Sequence, residues 1–318
     1  MGVTLSILLD SLDFETLPEK LSTYWKGLLI HSRRQKPNKK AVLPKISRQR
    51  SQRSLPAQVP QTNVKLGLQI TAMPFSHHSH SGQFCPDHAK NKLEEMVKTA
   101  IAKSMEVFAL TEHMPRNDQD RYPEEIEMGW TLATSQTNHR DFYREATRLR
   151  GEYGSRIQIL IGFESEWIRP SSQDLIAESL QAYSFDLFVG SVHHVHTKPI
   201  DYDQAGYDTA KALAGGTDRQ LFNDYFDAQF SMLQAVRPPV IGHFDLIRLK
   251  SEEPSRDLRL WPDVWQRIMR NLQLIVSNGS LLEINFASLR KGLSEPYPKG
   301  EIAQVSSIRR RKRSSHVR

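Results

Sequence analysis

Short apolar runs and longer amphipathic stretches alternate along most of this chain. The run Val107–Leu110 is apolar and bounded by polar residues, which is typical of a buried strand. Before it, Leu93, Met96, Val97 and Ala100 recur at spacings of three and four residues, which predicts one apolar face of a helix. The regular part of the chain therefore contains at least one helix followed by a strand.

The same alternation continues to about residue 285. Apolar runs predict further strands at Ile157–Ile161, Phe185–Val189, Val240–Ile241 and Leu281–Ile284, and an apolar approach predicts the first strand near Leu66–Ile70. Periodic stretches predict helices at Arg140–Arg150, Gln173–Ala182, Arg219–Val236 and Trp261–Ser277. Strand then helix, repeated six times, indicates a parallel sheet wound as an α/β fold or barrel.

Polar residues stand where the predicted strands end. They are His78 and His80, His113, Glu164, His193, His243 and Asn285. In βα barrels the carboxyl ends of the strands meet at one rim, where active sites lie. Alternate side chains of an extended segment share a face, so His78 and His80 point the same way and His77 points away. Because neutral imidazole is the commonest metal ligand, the pattern predicts a metal site.

Charge is distributed unevenly. Residues 1–72 contain 12 basic and 4 acidic groups, residues 305–318 contain 6 and none, and residues 73–304 contain 25 and 32. The net charge of +7 thus belongs to the two ends, and the acidic middle suits a domain that collects cations rather than nucleic acid. We predict a basic, largely disordered extension over residues 1–65, a folded domain over residues 66–302 and a basic disordered tail over residues 303–318.

The single cysteine, Cys85, excludes an intramolecular disulfide framework and favours a reducing compartment. No apolar run approaches the ~18 residues of a membrane span. Met1–Ser6 fits an N-myristoylation pattern, but this pattern is short enough to occur by chance. We therefore expect a cytoplasmic protein with no membrane partner.

Six segments at these strand ends resemble the PHP family (polymerase and histidinol phosphatase), and within it the histidinol-phosphatases of fungal type. The segments are Ser76–Gly82, Phe108–Arg116, Ile161–Glu166, Val189–His194, Ile241–Arg248 and Leu282–Pro298. The resemblance covers about Met73–Glu301. It implies a distorted seven-stranded (β/α) barrel with up to three divalent metals (Zn, Fe or Mn). It also implies hydrolysis of a small-molecule substrate, L-histidinol phosphate, to L-histidinol and phosphate in histidine biosynthesis.

The resemblance also implies a set of metal ligands, namely His78, His80, His88, His113, Glu164, His193 and His243. Glu164 would bridge two cations with its two oxygens. His77 and His194 fall beside ligand positions, which implies supporting or substrate contacts. His139 and His196 are expected on surface loops.

Phosphoryl transfer needs positive charge on the equatorial oxygens, and a guanidinium matches a phosphate edge. Three arginines in loops after strands are the candidates, Arg116, Arg248 and Arg290. We expect catalytic roles for Glu164, Arg116 and Arg248. We expect substrate contacts from Arg116, His194, Arg248, Asn285 and Arg290.

The end of the chain departs from the family pattern. The family completes its metal cluster with an Asp-x-His pair on a seventh strand, whereas residues 303–318 contain no acidic residue and no apolar strand. We therefore expect the seventh strand to be missing, a sheet edge to be open and fewer than three metals to bind. The alternative to an enzyme is a catalytically inactive PHP barrel with a binding or regulatory role.

Overall fold

The computed structural model describes the backbone of Thr4–Ser6, residues 75–85 and residues 88–306. Three predicted parts of the chain lie outside the described residues. They are most of the extension over residues 1–65, the first strand near Leu66–Ile70, and residues 307–318 of the tail. Disorder of both ends therefore stays a prediction. Near the carboxyl end, a helix covers residues 300–306, and Ile302 and Ala303 in it are buried. The ordered part thus continues past the predicted boundary at residue 302.

The strands form one parallel sheet and one short hairpin. The sheet contains β1 (Thr4–Ser6), β2 (Phe75–Ser76), β3 (Val107–Leu110), β4 (Gln158–Glu166), β5 (Leu187–Ser191), β8 (Val240–Ile241) and β9 (Leu281–Asn285). The antiparallel hairpin consists of β6 (His194–Val195) and β7 (Lys198–Pro199). Across the sheet the order is β2, β3, β4, β5, β8, β9 and β1. From β2 to β9, six parallel strands thus follow one another in chain order, which confirms the predicted α/β class.

At the sheet edge formed by β9, the backbone pairs with a strand from the amino-terminal part of the chain. β1 runs parallel to β9, and Leu5 lies opposite Ile284. At these residues the backbone groups of β9 therefore have partners.

Helices connect the strands. They are α1 (Leu93–Ala102), α2 (Pro123–Glu127), α3 (Leu132–Tyr153), α4 (Ser172–Ala182), α5 (Gln204–Leu213), α6 (Asp218–Ala235), α7 (Pro262–Asn278) and α8 (Ala287–Arg290). Local signals set several ends. Thr217 caps α6 by accepting a hydrogen bond from Gln220 N. α7 begins with Pro262 and ends at Gly279, whose φ of +77° is a left-handed conformation that favours glycine.

Two apolar clusters hold the helices against the sheet. In one, Phe142 of α3 packs with Phe108 of β3. In the other, Phe226 of α6 and Ile268 of α7 pack with Ile241 of β8. Each of these side chains is completely buried, which contributes roughly 1.5–3 kcal/mol per side chain. The clusters fix the strands in register, so that their carboxyl ends share one rim.

β4 is longer than the sequence predicted. It continues beyond Ile161 to Glu166, which pairs with Ser191 of β5. The polar residues after Gly162 interrupt the apolar pattern, and for this reason the sequence indicated an earlier end. Because Glu164 and Glu166 are two residues apart in a strand, they share one face of the sheet.

The sequence pattern did not predict the hairpin of β6 and β7 or the helix α5. The hairpin strands have two residues each, and the turn between them contains His196 and Thr197 with φ of +51° and +63°. Among the described residues, no helix is long and apolar enough to cross a membrane.

Candidate metal centre and active site

Glu164 lies at the centre of a buried group of imidazoles at the carboxyl-end rim of the sheet. Its Oε2 is 3.2 Å from His78 Nε2, 3.1 Å from His80 Nε2 and 3.2 Å from His113 Nδ1. His78 and His80 follow β2, and His113 follows β3. The parallel sheet thus brings three side chains from two strand ends to one carboxylate oxygen of β4.

The other oxygen of Glu164, Oε1, faces a second pair of imidazoles. His243 Nε2 is 2.8 Å away and His193 Nε2 is 3.4 Å away. Ser191 Oγ also donates a hydrogen bond to this oxygen, at 2.5 Å. His193 follows β5 and His243 follows β8, so one carboxylate joins the early strand ends to the later ones.

The nitrogen, oxygen and sulfur atoms of this cluster converge closely enough to hold cations. They form three overlapping groups whose atoms lie within 4.8 Å of one another: His78, His80 and Glu164; Glu164, His193 and His243; His80, Cys85 and His113. His78 Nε2 and His80 Nε2 are only 3.0 Å apart, and both face the same carboxylate oxygen. Imidazole and carboxylate ligands that converge in this way suit Zn, Fe and Mn, so the residues present fit divalent metals.

Two of the imidazoles are also hydrogen-bonded on their other side to a buried carboxylate, and a third has a carboxylate nearby. His78 Nδ1 is 3.0 Å from Glu283 Oε1, His193 Nδ1 is 2.8 Å from Glu166 Oε1 and His80 Nδ1 is 3.5 Å from Glu112 Oε2. A carboxylate at Nδ1 orients the ring and leaves Nε2 as the ligand atom, which is the usual environment of metal-binding histidine.

The sequence-based reasoning missed these three carboxylates, although the strand alternation contains a signal for two of them. Glu166 is two residues after Glu164, and Glu283 is two residues before Asn285, so each shares a strand face with a residue assigned to the rim. Glu112 has no such signal. It is positioned by Ser81, whose N and Oγ donate to Glu112 Oε1 at 2.8 and 2.6 Å.

The electrostatics of the cluster depend on these pairs. Burial alone would raise the pKa of Glu164, but the facing imidazoles, His78 foremost, outweigh burial and hold this pKa well below its usual range. Burial likewise lowers the pKa of His78, yet the carboxylates of Glu164 and Glu283 outweigh it and raise the pKa of His78 to about 10. A cation that binds to His78 near neutral pH must therefore displace a proton.

His88 and Cys85 lie at the outer side of the cluster. The ring centroid of His88 is 5.2 Å from that of His80 and 4.9 Å from that of His113, and His88 is exposed. His88 is thus the one predicted ligand outside the three groups. Cys85 belongs to one of them without any sequence motif to indicate it, and burial raises the pKa of its thiol.

Of the three predicted phosphate-binding arginines, the structure brings Arg116 to the cavity described below. Its Nε donates to Glu166 Oε2 at 3.1 Å, and a terminal nitrogen donates to Glu125 Oε1 at 2.6 Å. Its guanidinium carbon also lies 4.8 Å from the centroid of the Tyr122 ring. These contacts fix the guanidinium at the cavity wall.

The structure places Arg248 in the core instead, where it is 1% exposed. Its Nε donates to Asp245 Oδ2 at 3.0 Å, and its guanidinium carbon lies 4.8 Å from the centroid of the Tyr297 ring. The 3₁₀ helix Leu246–Lys250 turns this side chain inward, which the position after a strand did not indicate. Arg290, at the end of α8, is exposed.

The two remaining predicted substrate contacts, His194 and Asn285, are buried beside the carboxylates. His194 Nδ1 is 3.2 Å from Glu166 Oε1. Asn285 Nδ2 donates to Glu283 Oε1 at 3.1 Å, and its Oδ1 accepts from Ala287 N at 2.8 Å. Asn285 thus helps to orient the carboxylate that holds His78.

A cavity of about 490 Å³ opens beside the cluster, within the size range of small-molecule sites. Its wall shares His113 and His193 with the cluster. The sequence analysis did not identify several other wall residues, which come from segments distant in sequence: Tyr122, Asp201, Tyr202, Lys250 and Lys291.

The prediction of a surface loop is wrong for His139. This residue lies in α3 and is 3% exposed. Its ring centroid is 5.8 Å from that of Phe163, 5.7 Å from that of Tyr183 and 5.4 Å from that of Phe185. Burial among these rings lowers the pKa of His139 to about 4. His196 is exposed in the turn between β6 and β7, as expected.

Sequence comparison relates the chain to histidinol-phosphatases. It is 41% identical over 235 residues to a Schizosaccharomyces pombe protein named "Probable histidinol-phosphatase". The aligned region covers 73% of this chain and 76% of that relative. It is 31% identical over 255 residues to a histidinol-phosphatase of Saccharomyces cerevisiae, and this alignment covers 70% of this chain and 76% of the relative.

Solved structures show the same fold. A hisK protein from Listeria monocytogenes matches with a TM-score of 0.64 at 22% identity, over 74% of this chain and 90% of that one. The histidinol phosphate phosphatase of Lactococcus lactis, solved with zinc, L-histidinol and phosphate, matches with a TM-score of 0.52 at 20% identity, over 67% and 73%. Residues 76–287 match the profile of the PHP domain. The chain therefore belongs to the PHP domain family.

Proposed function

We propose that this protein is a metal-dependent phosphomonoesterase that hydrolyses L-histidinol phosphate to L-histidinol and phosphate. The observation that carries the proposal is the position of Glu164 between two sets of imidazoles, next to a cavity that shares His113 and His193 with them. The names of the sequence relatives support the substrate. They do not favour the alternative of an inactive PHP barrel.

We assign the metal ligands to His78, His80, His113, Glu164, His193 and His243, with His88 beside them as a further candidate. Divalent cations bound there supply positive charge to a phosphoryl group and lower the pKa of water. Glu112, Glu166 and Glu283 hold the imidazole rings so that Nε2 faces inward. Because zinc is present in the Lactococcus lactis structure, zinc is the first metal to test, with Mn and Fe next.

The phosphate group carries two negative charges near neutral pH and needs cationic partners. Arg116, Lys250 and Lys291 line the cavity and supply them. Arg116 is the most rigidly placed of the three, because Glu125 and Glu166 fix its guanidinium. His194 shares Glu166 with Arg116, and its ring centroid lies 5.6 Å from that of Tyr122, so it supports these two residues of the cavity wall.

The substrate is a small molecule of histidine biosynthesis, and the single cysteine in the chain suits the reducing cytoplasm.

The test is phosphate release from L-histidinol phosphate and from p-nitrophenyl phosphate, with Zn²⁺ or Mn²⁺ present. We expect a clear preference for L-histidinol phosphate. We expect Glu164→Gln to lower kcat/KM by at least ~1000-fold, about 4 kcal/mol. Glu152→Gln is the matched control, because Glu152 is an exposed carboxylate on α3. A wild-type protein without the preference, or a fully active Glu164→Gln variant, would contradict the proposal.

A further inference from the structure

One wall of the cavity contains a carboxylate that the proposed chemistry does not use. Asp201 follows the hairpin strand β7, and its side chain is 14% exposed. In the described part of the chain, its one ion pair is with Lys291 Nζ, at the long distance of 3.9 Å. Charge-assisted hydrogen bonds are about 2.7–2.9 Å long, so the Asp201–Lys291 pair is not a tight one. Asp201 therefore has room for a closer cationic partner in the cavity.

Aromatic side chains border the same cavity as this carboxylate. Tyr202 is adjacent to Asp201 in sequence, and its ring centroid is 5.4 Å from that of Tyr122. The hydroxyl of Tyr202 donates to Glu124, which ties the hairpin side of the cavity to α2. Tyrosine rings stack on flat, cationic or aromatic groups such as imidazole.

We infer that Asp201 is a specificity-determining residue that binds the ammonium group of the substrate. This inference rests on the function proposed above. L-histidinol phosphate has an ammonium group one carbon away from the carbon that bears the phosphate, and an imidazole on its other side. The cavity offers a partner for each: Lys250 and Lys291 for phosphate, Asp201 for the ammonium and the tyrosine rings for imidazole.

The physical basis of the selectivity is the largely buried position of the carboxylate. A phosphomonoester that fills the cavity without an ammonium group leaves Asp201 desolvated and without a tight partner. Sites of this kind reject analogues that lack the matching polar group much more strongly than analogues that lack only a methylene. Asp201 thus selects amino-bearing phosphomonoesters.

The competing interpretation is that Asp201 only positions Lys291. The two interpretations differ in how the effect of a substitution depends on the substrate. Lys291 meets a phosphate group, which all phosphomonoesters share, so Lys291→Met should lower kcat/KM for every substrate. The ammonium group is present in only some of them, so Asp201→Asn should lower kcat/KM for those alone.

The experiment compares L-histidinol phosphate, its des-amino analogue 3-(imidazol-4-yl)propyl phosphate and p-nitrophenyl phosphate. We expect Asp201→Asn to lower kcat/KM for L-histidinol phosphate by at least ~10-fold, as for a lost hydrogen bond between charged groups. The other two substrates should lose no kcat/KM, because neither pairs with Asp201 in the wild-type protein. Asp224→Asn, on α6 and paired with His196, is the control with no expected change.

A binding measurement supplements the kinetics. By calorimetry, Asp201→Asn should weaken L-histidinol binding by at least ~10-fold but should not weaken the binding of 3-(imidazol-4-yl)propan-1-ol. If Asp201→Asn lowers kcat/KM equally for all three substrates, or for none of them, the proposed role of Asp201 is wrong. The proposed function would still stand, because it depends on the substrate preference of the wild-type protein. Absence of that preference in the wild-type protein would overturn the proposed function and this inference with it.

Discussion

Two buried regions of this molecule contain histidines in opposite surroundings. Around Glu164, carboxylates face the imidazoles, and the pKa of His78 is raised to about 10. Around His139, the neighbours are Phe163 and other aromatic rings, and the pKa is lowered to about 4. Burial lowers the pKa in both places, so the difference comes from the carboxylates.

This difference teaches that burial alone does not indicate what a histidine does. His139 stays neutral and packs as one more ring in an aromatic cluster. His78 has a carboxylate at Nδ1 and a second imidazole, that of His80, facing its Nε2. Convergence of a buried imidazole with carboxylates and other imidazoles, rather than burial alone, therefore marks His78 as a candidate metal ligand.

The largest effect is expected from removing imidazoles of the carboxylate-rich region. The double change His78→Ala and His80→Ala takes away two ligand atoms that face one oxygen of Glu164. We expect most of the bound metal to be lost, by elemental analysis, and kcat/KM to fall by at least ~1000-fold, about 4 kcal/mol. His139→Phe, which removes a buried imidazole without carboxylate partners, is the control. Equal metal loss in both variants would break the distinction between the two regions.

A second prediction concerns Arg248, a buried charge with its own partners. Arg248→Met leaves Asp245 buried without its guanidinium, so we expect a loss of about 3 kcal/mol in the free energy of unfolding. The KM for L-histidinol phosphate should change by less than about twofold. The further change Asp245→Asn should recover part of the stability, because it removes the uncompensated carboxylate. A raised KM with unchanged stability would place Arg248 in the substrate site.

A third prediction concerns Glu283. Its replacement by glutamine removes one of the carboxylates around His78, which makes the surroundings of His78 more like those of His139. Glu283→Gln keeps the shape of the side chain but removes the charge at His78 Nδ1. We expect the affinity for Zn²⁺ to fall by about 30-fold, or about 2 kcal/mol, measured by competition with a chromophoric chelator. Glu152→Gln should leave the affinity unchanged. An unchanged affinity in Glu283→Gln would show that the ring of His78 needs no carboxylate.

The smallest effect is expected for the pH dependence of stability at His139. Below pH 6.5 the unfolded chain binds a proton at this histidine, whereas the folded protein does not until about pH 4. Stability of the wild-type protein should therefore fall as pH drops through this window. His139→Phe should remove roughly 1.8 kcal/mol of the loss between pH 7 and pH 5.

The measurement for His139 is urea unfolding of the metal-free protein at several pH values. The same slope in His139→Phe as in the wild-type protein would contradict the account of the aromatic region.

The sequence predicted those parts of the molecule that depend on local pattern. The apolar run before His113 and the one before His243 end in polar residues, and this pattern placed both imidazoles at one rim. The partners of these residues were harder to predict. Strand alternation places Glu283 on the same face as Asn285, but its contact with His78 joins residues 205 positions apart and has no local signal.

Contacts between distant loops account for the rest. Asp201 and Lys291 meet at one cavity although they follow different strands, β7 and β9, and no periodicity joins them. Arg248 was predicted at the site because it follows a strand. A short 3₁₀ helix turns it into the core, and such a turn depends on packing against Tyr297 rather than on local pattern.

The central claim is that the imidazoles around Glu164 hold the metals with which this chain hydrolyses L-histidinol phosphate. The most direct measurement is phosphate release from this substrate by one sample before chelation, after chelation and after return of Zn²⁺ or Mn²⁺. The account predicts that turnover falls by at least ~100-fold when elemental analysis finds no metal, and that it returns with metal. Undiminished turnover in protein shown to be free of metal would contradict it.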